Sequence, residues 1–214
     1  MEERTTMNKL GIMGGTFDPI HIGHLFIAQT ALSCLKLDKV LFIPTGITPH
    51  KNNQEISSPL DRFNMTSLAI NNNNHFDISS IEIDKNERSY TIDTILELQI
   101  KYHLCKLYFI TGTDTLISLE KWKKFQELFK AIDFIVITRP GYDTETLEEK
   151  IQYYTDEYCA NITKINVPLL DISSTDIRMR VRHNKSIKYL VPQSVEKYIY
   201  NNNLYTNEIG DLYD

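Results

Sequence analysis

A chain of 214 residues suits one domain, and with 42% hydrophobic residues it can bury a sizeable core. Its 28 acidic and 23 basic side chains leave a formal charge of −5, which excludes the basic surplus of a general nucleic-acid binder. The three cysteines, Cys34, Cys105 and Cys159, fit neither a disulfide framework nor a zinc-ligand spacing, and no apolar run reaches the ~18 residues of a membrane span.

The opening MEERTTMNKL lacks a charged-then-apolar leader profile, so residues 1–8 read as an extension and a cytoplasmic setting is expected. KLGIMGG reads as a buried strand ending in glycines, and HIGHLFIAQTALSCL as an amphipathic helix. KVLFIPTG is a second strand, stopped by Pro44 and Gly46. Ser58 and Pro59 are N-cap and first-turn residues for LDRFNMTSLAI. FDISSIEI alternates as a strand, and YTIDTILELQIKYH returns to helical spacing. KLYFITG is strand-like, TDTLISLEKWKKFQELF reads as one helix, and DFIVITRPG is a β-branched run with a stop signal. TETLEEKIQYY is a solvated helix and ITKINVPLL the last strand; SSTDIRMRV and PQSVEKYIYNNNLY are two closing helices.

Strand–helix alternation predicts an α/β fold: a doubly wound parallel sheet, Rossmann-like, with a small helical C-terminal part over about 172–205. A single domain is expected over 9–205, followed by a tail at 206–214. In such sheets ligands bind beyond the strand C-termini, at a switch point. The distinctive segments all fall at strand ends or helix starts.

Three of the eight glycines and two of the six histidines lie between Gly14 and His24. Without Cβ atoms, Gly14 and Gly15 let backbone amides approach a phosphate; a tight turn alone is the plainer reading of a lone pair. His21 and His24 stand three apart at a helix start, so both rings share one face, with Gly23 between them leaving room for a ligand. Together these residues form a phosphate grip. The segment is neither G-x-G-x-x-G nor a P-loop. Charge stabilisation ranks above a general-base role for the histidines, because a nucleotide phosphate is already an anion.

GGTFDPIHIGH resembles the H-x-G-H signature of the nucleotidyltransferases. ISSTDIR, Ile172 to Arg178, resembles the I-S-S-T-x-I-R partner signature of the small adenylyltransferases. The literal HIGH of class I aminoacyl-tRNA synthetases is a weaker match, because the chain has neither their length nor their lysine-rich second signature. PTGITPHKN, RSYTIDT, GTDTLISLEKW, TRPG and LVPQSVEKYIYNNNLY follow in the order of the bacterial nicotinate-nucleotide adenylyltransferases, although a glycine often found before S-Y-T is missing.

The resemblance implies transfer of the adenylyl group of ATP to nicotinate mononucleotide. His21, His24 and Arg178 would be catalytic. ATP would meet Gly14, Gly15, Thr16, Gly23, Gly112, Asp114, Ser173, Ser174 and Thr175, and the mononucleotide would meet Thr16, Phe17, His50, Lys51, Tyr90, Thr91, Trp122, Lys123 and Arg139. Trp122 would stack on the pyridine ring, though core packing is the commoner fate of a lone tryptophan. No carboxylate cluster marks a metal site, so Mg²⁺ is expected to arrive with ATP. Nucleic acid and membrane are not expected as partners, and a homo-oligomer is left open. The alternatives are a relative using nicotinamide mononucleotide or phosphopantetheine, and a non-catalytic nucleotide-binding regulator.

Overall fold

The computed structural model describes residues 7–46, 56–85, 87–138, 144–168 and 170–206. Six parallel strands form one sheet in the order β3-β2-β1-β4-β5-β6. They are β1 (Lys9–Gly15), β2 (Lys39–Pro44), β3 (Phe76–Ile78), β4 (Lys106–Gly112), β5 (Asp133–Thr138) and β6 (Ile162–Asn166). The chain therefore has the doubly wound, Rossmann-like α/β fold that its alternation predicts.

The strands are apolar because both faces of the sheet are covered. Along β1, Ile12 packs into one core and Met13 into the other. One layer contains α1 (Ile22–Leu35), α2 (Pro59–Ile70), α7 (Ser174–Arg182) and α8 (Gln193–Asn201), which bury Ala28, Met65, Ile177 and Val195. The other contains α3 (Thr91–Lys101), α5 (Phe125–Ala131) and α6 (Thr144–Tyr158), which bury Ile95, Leu128 and Tyr154. Strand order reverses between β1 and β4, and the chain leaves those two strands toward opposite layers. That crevice is where a ligand fits.

The start of α2 is as its sequence predicts: the Ser58 hydroxyl accepts from the Asp61 N–H at 3.1 Å, and Pro59 opens the helix. Two expectations are corrected. FDISSIEI stays extended only through Ile78, because the Ser80 carbonyl accepts from the amides of Ile83 and Asp84 and turns the chain. The segment read as one helix around Trp122 is three pieces: α4 (Thr113–Ile117), a 3₁₀ turn at Leu119–Lys121, and α5. Between them Trp122 is extended and Lys124 is left-handed at φ 55°, which takes the indole out of helical register.

Candidate active site

The turn after β1 holds its two histidines in contact. Their ring centroids lie 3.7 Å apart with 31° between the planes. His21 is buried, and its backbone N–H donates to Nδ1 of His24 at 3.2 Å. A neutral His24 therefore carries its proton on Nε2, leaving that nitrogen as a donor. No acidic residue occupies the first turn of α1, so the positive end of its dipole is not offset there.

The glycines of this turn make room for rings. A Cβ at Gly15 would lie 2.9 Å from the Phe17 ring. One at Gly23 would lie 3.0 Å from Nδ1 of His21, so the His21 imidazole occupies the side of Gly23 where a Cβ would stand. Phe17, at φ 51°, meets His24 edge-on with centroids 5.1 Å apart.

The second motif packs directly on the first. Ser173 caps α7, its hydroxyl accepting from the Asp176 N–H at 3.1 Å. The Ser174 hydroxyl donates to the Pro19 carbonyl at 2.9 Å, so it serves the contact between the motifs. Arg178 donates from Nη1 to the Asp18 carbonyl at 2.7 Å and from Nη2 to the Thr175 hydroxyl at 3.4 Å. Its Nη1 stands 3.8 Å from the Asp18 carboxylate, which is buried and also accepts from the Tyr205 hydroxyl at 2.7 Å. Burial, with the Asp18 charge beside it, pushes the Tyr205 hydroxyl well above the ordinary tyrosine range.

Beside this turn lies a cavity of about 600 Å³, lined by Gly14 and Gly15 at the end of β1 and Thr16 just beyond it, Tyr90 and Thr91 opening α3, and Trp122 and Lys123. It thus unites three segments that the sequence marks separately. Trp122 is half-buried and packs edge-on against Phe109 with centroids 5.9 Å apart. The Lys123 ammonium sits 3.9 Å from the centre of the Tyr90 ring and 3.5 Å from the Asp93 carboxylate. The Asp93 and Thr94 amides donate to the Tyr90 carbonyl, so it is the two amides before them, of Thr91 and Ile92, that precede the first bond of α3 and suit an anion.

On the other side of the crevice, Gly112 caps α4 and Asp114 lies in its first turn, exposed. An added Cβ at Gly112 would meet nothing within 4 Å. His50, Lys51 and Arg139 lie outside the described residues.

Two residues of this region have no signal in the sequence. Glu82 lines the cavity and accepts from the Thr94 hydroxyl at 2.9 Å; burial pushes its carboxyl above the usual range. Arg62, in the helix LDRFNMTSLAI, is buried. Its guanidinium donates to the carbonyls of Ser57, Thr16 and Gly46. Among the described residues, no group of three or more His, Cys, Asp or Glu side chains is placed to hold a metal ion. No described helix is long and apolar enough to cross a membrane. Amide donors, two imidazoles and a guanidinium around one crevice suit phosphate chemistry governed by charge and position.

The family model described as cytidylyltransferase-like matches residues 12–180. A protein of Thermoanaerobacter sp. (strain X514), named "Probable nicotinate-nucleotide adenylyltransferase", is 46% identical over 94% of this chain and 95% of its own. One of the same name from Moorella thermoacetica is 44% identical over 98% and 97%. Among solved structures, the nicotinic acid mononucleotide adenylyltransferase of Plasmodium falciparum complexed with NaAD shares the fold. Its TM-score is 0.76 at 21% identity, covering 92% of this chain and 97% of that one.

Proposed function

The chain belongs to the nicotinate-nucleotide adenylyltransferases of the cytidylyltransferase-like family, and on that premise we propose how its residues carry out the reaction. It is an enzyme that joins the adenylyl group of ATP to nicotinate mononucleotide, giving nicotinate adenine dinucleotide and pyrophosphate. A 5′-phosphate oxygen of the mononucleotide bonds to the α-phosphorus of ATP as the bond from that phosphorus to the bridging oxygen breaks. The electron pair leaves with pyrophosphate, and no proton has to be removed from the attacking group.

The barrier is then one of bringing two polyanions into line. The mononucleotide occupies the 600 Å³ cavity, its ring on Trp122 and its carboxylate on amides near Thr91 and Lys123, with Tyr90 alongside. Its phosphate faces the amides of Thr16 and Phe17, with His50, Lys51 and Arg139 supplying further contacts. ATP lies across Gly14, Gly15 and Gly112, with its ribose on Asp114 and its phosphates toward His21, His24 and the start of α7 at Ser173–Thr175. His24 donates from Nε2 to charge that builds on the α-phosphate, and Arg178 faces the departing pyrophosphate. Enzymes of this kind use a divalent metal with ATP; here Mg²⁺ would come as part of that substrate, bound by phosphate oxygens and neutralising them. A reducing cytoplasm suits Cys34, Cys105 and Cys159, which are all free thiols.

The observation that carries this reading is the junction of the two motifs, Ser174 on Pro19 and Arg178 on Asp18, beside a cavity walled by Tyr90 and Trp122. Pyrophosphate release with ATP and either nicotinate or nicotinamide mononucleotide tests it. A clear preference for nicotinate is expected. Equal rates would remove the assigned acceptor, and no release with either would remove the activity.

A further inference from the structure

Arg62 is 1% exposed, yet it carries a permanent charge. Its Nε donates to the Ser57 carbonyl at 3.2 Å, Nη1 to the Thr16 carbonyl at 2.8 Å and the Thr45 hydroxyl at 3.4 Å, and Nη2 to the Gly46 carbonyl at 3.0 Å. Those acceptors belong to three separate stretches of chain: the exit of β1, the exit of β2 and the approach to α2. A planar fork with five donors can serve them together, which a lysine ammonium on its flexible stem cannot do.

What this fork fixes bears on the cavity. Thr16 and Thr45 both line it. The peptide joining Thr16 to Phe17 is planar and trans, so its carbonyl and its N–H point in opposite directions. With the carbonyl seated on Arg62, the Phe17 N–H faces away from the guanidinium. Phe17 itself sits at φ 51°, a conformation that aromatic residues rarely adopt and that needs support from its surroundings.

We propose that Arg62 is a positioning residue for the acceptor: by holding the Thr16 carbonyl it keeps Phe17 left-handed and aims the Phe17 amide at the mononucleotide's phosphate. The inference rests on reading the cavity as the mononucleotide site. Arg62 itself touches no substrate. Its effect is transmitted through one peptide plane.

The test is Arg62→Lys in the full chain, with nicotinate mononucleotide binding measured by calorimetry and KM and kcat measured for each substrate. Loss of one amide bond to a charged phosphate is expected to weaken mononucleotide binding about tenfold or more. The KM for ATP should stay within about twofold. A lowered melting temperature with parental KM values for both substrates would make Arg62 a fold residue only and overturn the proposal. Equal weakening of both substrates would overturn it too. If Arg62→Lys is not recovered folded, Arg62→Gln is judged by the same split. A parent that binds nicotinate mononucleotide, with a Lys variant that binds it equally, overturns this inference alone. A parent that does not bind it overturns the substrate reading and this inference together.

Discussion

Arg178 rests on Asp18, donating to its backbone carbonyl at 2.7 Å and standing 3.8 Å from its buried carboxylate. The arginine expected to face pyrophosphate is therefore also a strut between the two signature motifs. Arg178→Ala should lower stability by ~1.5–3 kcal/mol, the worth of a charge-assisted hydrogen bond, as well as lowering turnover. Arg178→Lys keeps the charge without the fork and should still lose about tenfold in rate. Thermal melts beside initial rates check both. If Arg178→Ala melts like the parent, the strut is illusory.

The two histidines separate by burial. His24→Ala should cost about two to three decades in turnover, the scale of one lost electrostatic donor, with a small change in melting temperature. His21 is 4% exposed and fills the space over Gly23. His21→Ala should lose activity and also ~1–3 kcal/mol of stability, the range for opening a cavity. Urea unfolding of both variants decides it, and equal stabilities would contradict the assignment.

Trp122 supplies a second contrast. Trp122→Ala removes a wall of the cavity and should raise KM for the mononucleotide by about tenfold or more, from a stacking contribution of ~1–3 kcal/mol. ATP should be affected far less. A defect confined to ATP would mean the wrong substrate has been placed there.

Gly112 and Gly46 differ in what stands before them. A Cβ at Gly46 would fall 2.2 Å from the Glu82 carbonyl oxygen, whereas at Gly112 it would meet nothing within 4 Å. Gly46→Ala should therefore destabilise by ~1–3 kcal/mol through overpacking. Gly112→Ala should leave stability within about 0.5 kcal/mol, as surface changes do, but raise KM for ATP if the nucleotide uses that space. Unchanged ATP kinetics in a stable Gly112→Ala protein would move ATP elsewhere.

Tyr205 makes stability depend on alkaline pH. Tyrosine in an unfolded chain ionises near pH 10, and in the fold burial and Asp18 raise that value. The folded chain thus holds this proton more tightly than the unfolded one. The contribution is complete below pH ~10 and is lost as pH rises beyond it. Tyr205→Phe should be less stable at pH 8 by ~0.5–1.5 kcal/mol, and the gap to the parent should narrow above pH 10. A gap that stays constant between pH 8 and 10.5 would show that the hydroxyl does not titrate against Asp18.

The strands were legible because a sheet covered on both faces leaves unbroken apolar runs, and the Ser58–Pro59 helix start because caps act within four residues. The break at Trp122 was hidden: every residue in that segment tolerates a helix, and the contact of Trp122 with Phe109 of β4 has no local signature. Arg62 and Glu82 were hidden for a different reason. Their partners Thr16 and Thr94 lie 46 and 12 positions away, and no local periodicity encodes such contacts. At Gly23, spacing alone does not show that an added Cβ would meet the neighbouring His21 imidazole.

The bond between Tyr205 and Asp18 joins positions 187 apart. Chain synthesis runs from one to the other, so the turn carrying the two imidazoles emerges early and, after the Ser57 amide, waits for nearly the whole polypeptide before the Tyr205 hydroxyl reaches its carboxylate. Even β1, the strand that precedes it, gains its β4 neighbour only after residue 106. Pairings at such range close slowly, because a long loop must be ordered before any contact repays it. A nascent or truncated chain ending short of Tyr205 can therefore assemble its layers and still lack the donor that reaches the Asp18 turn from the far end of the fold.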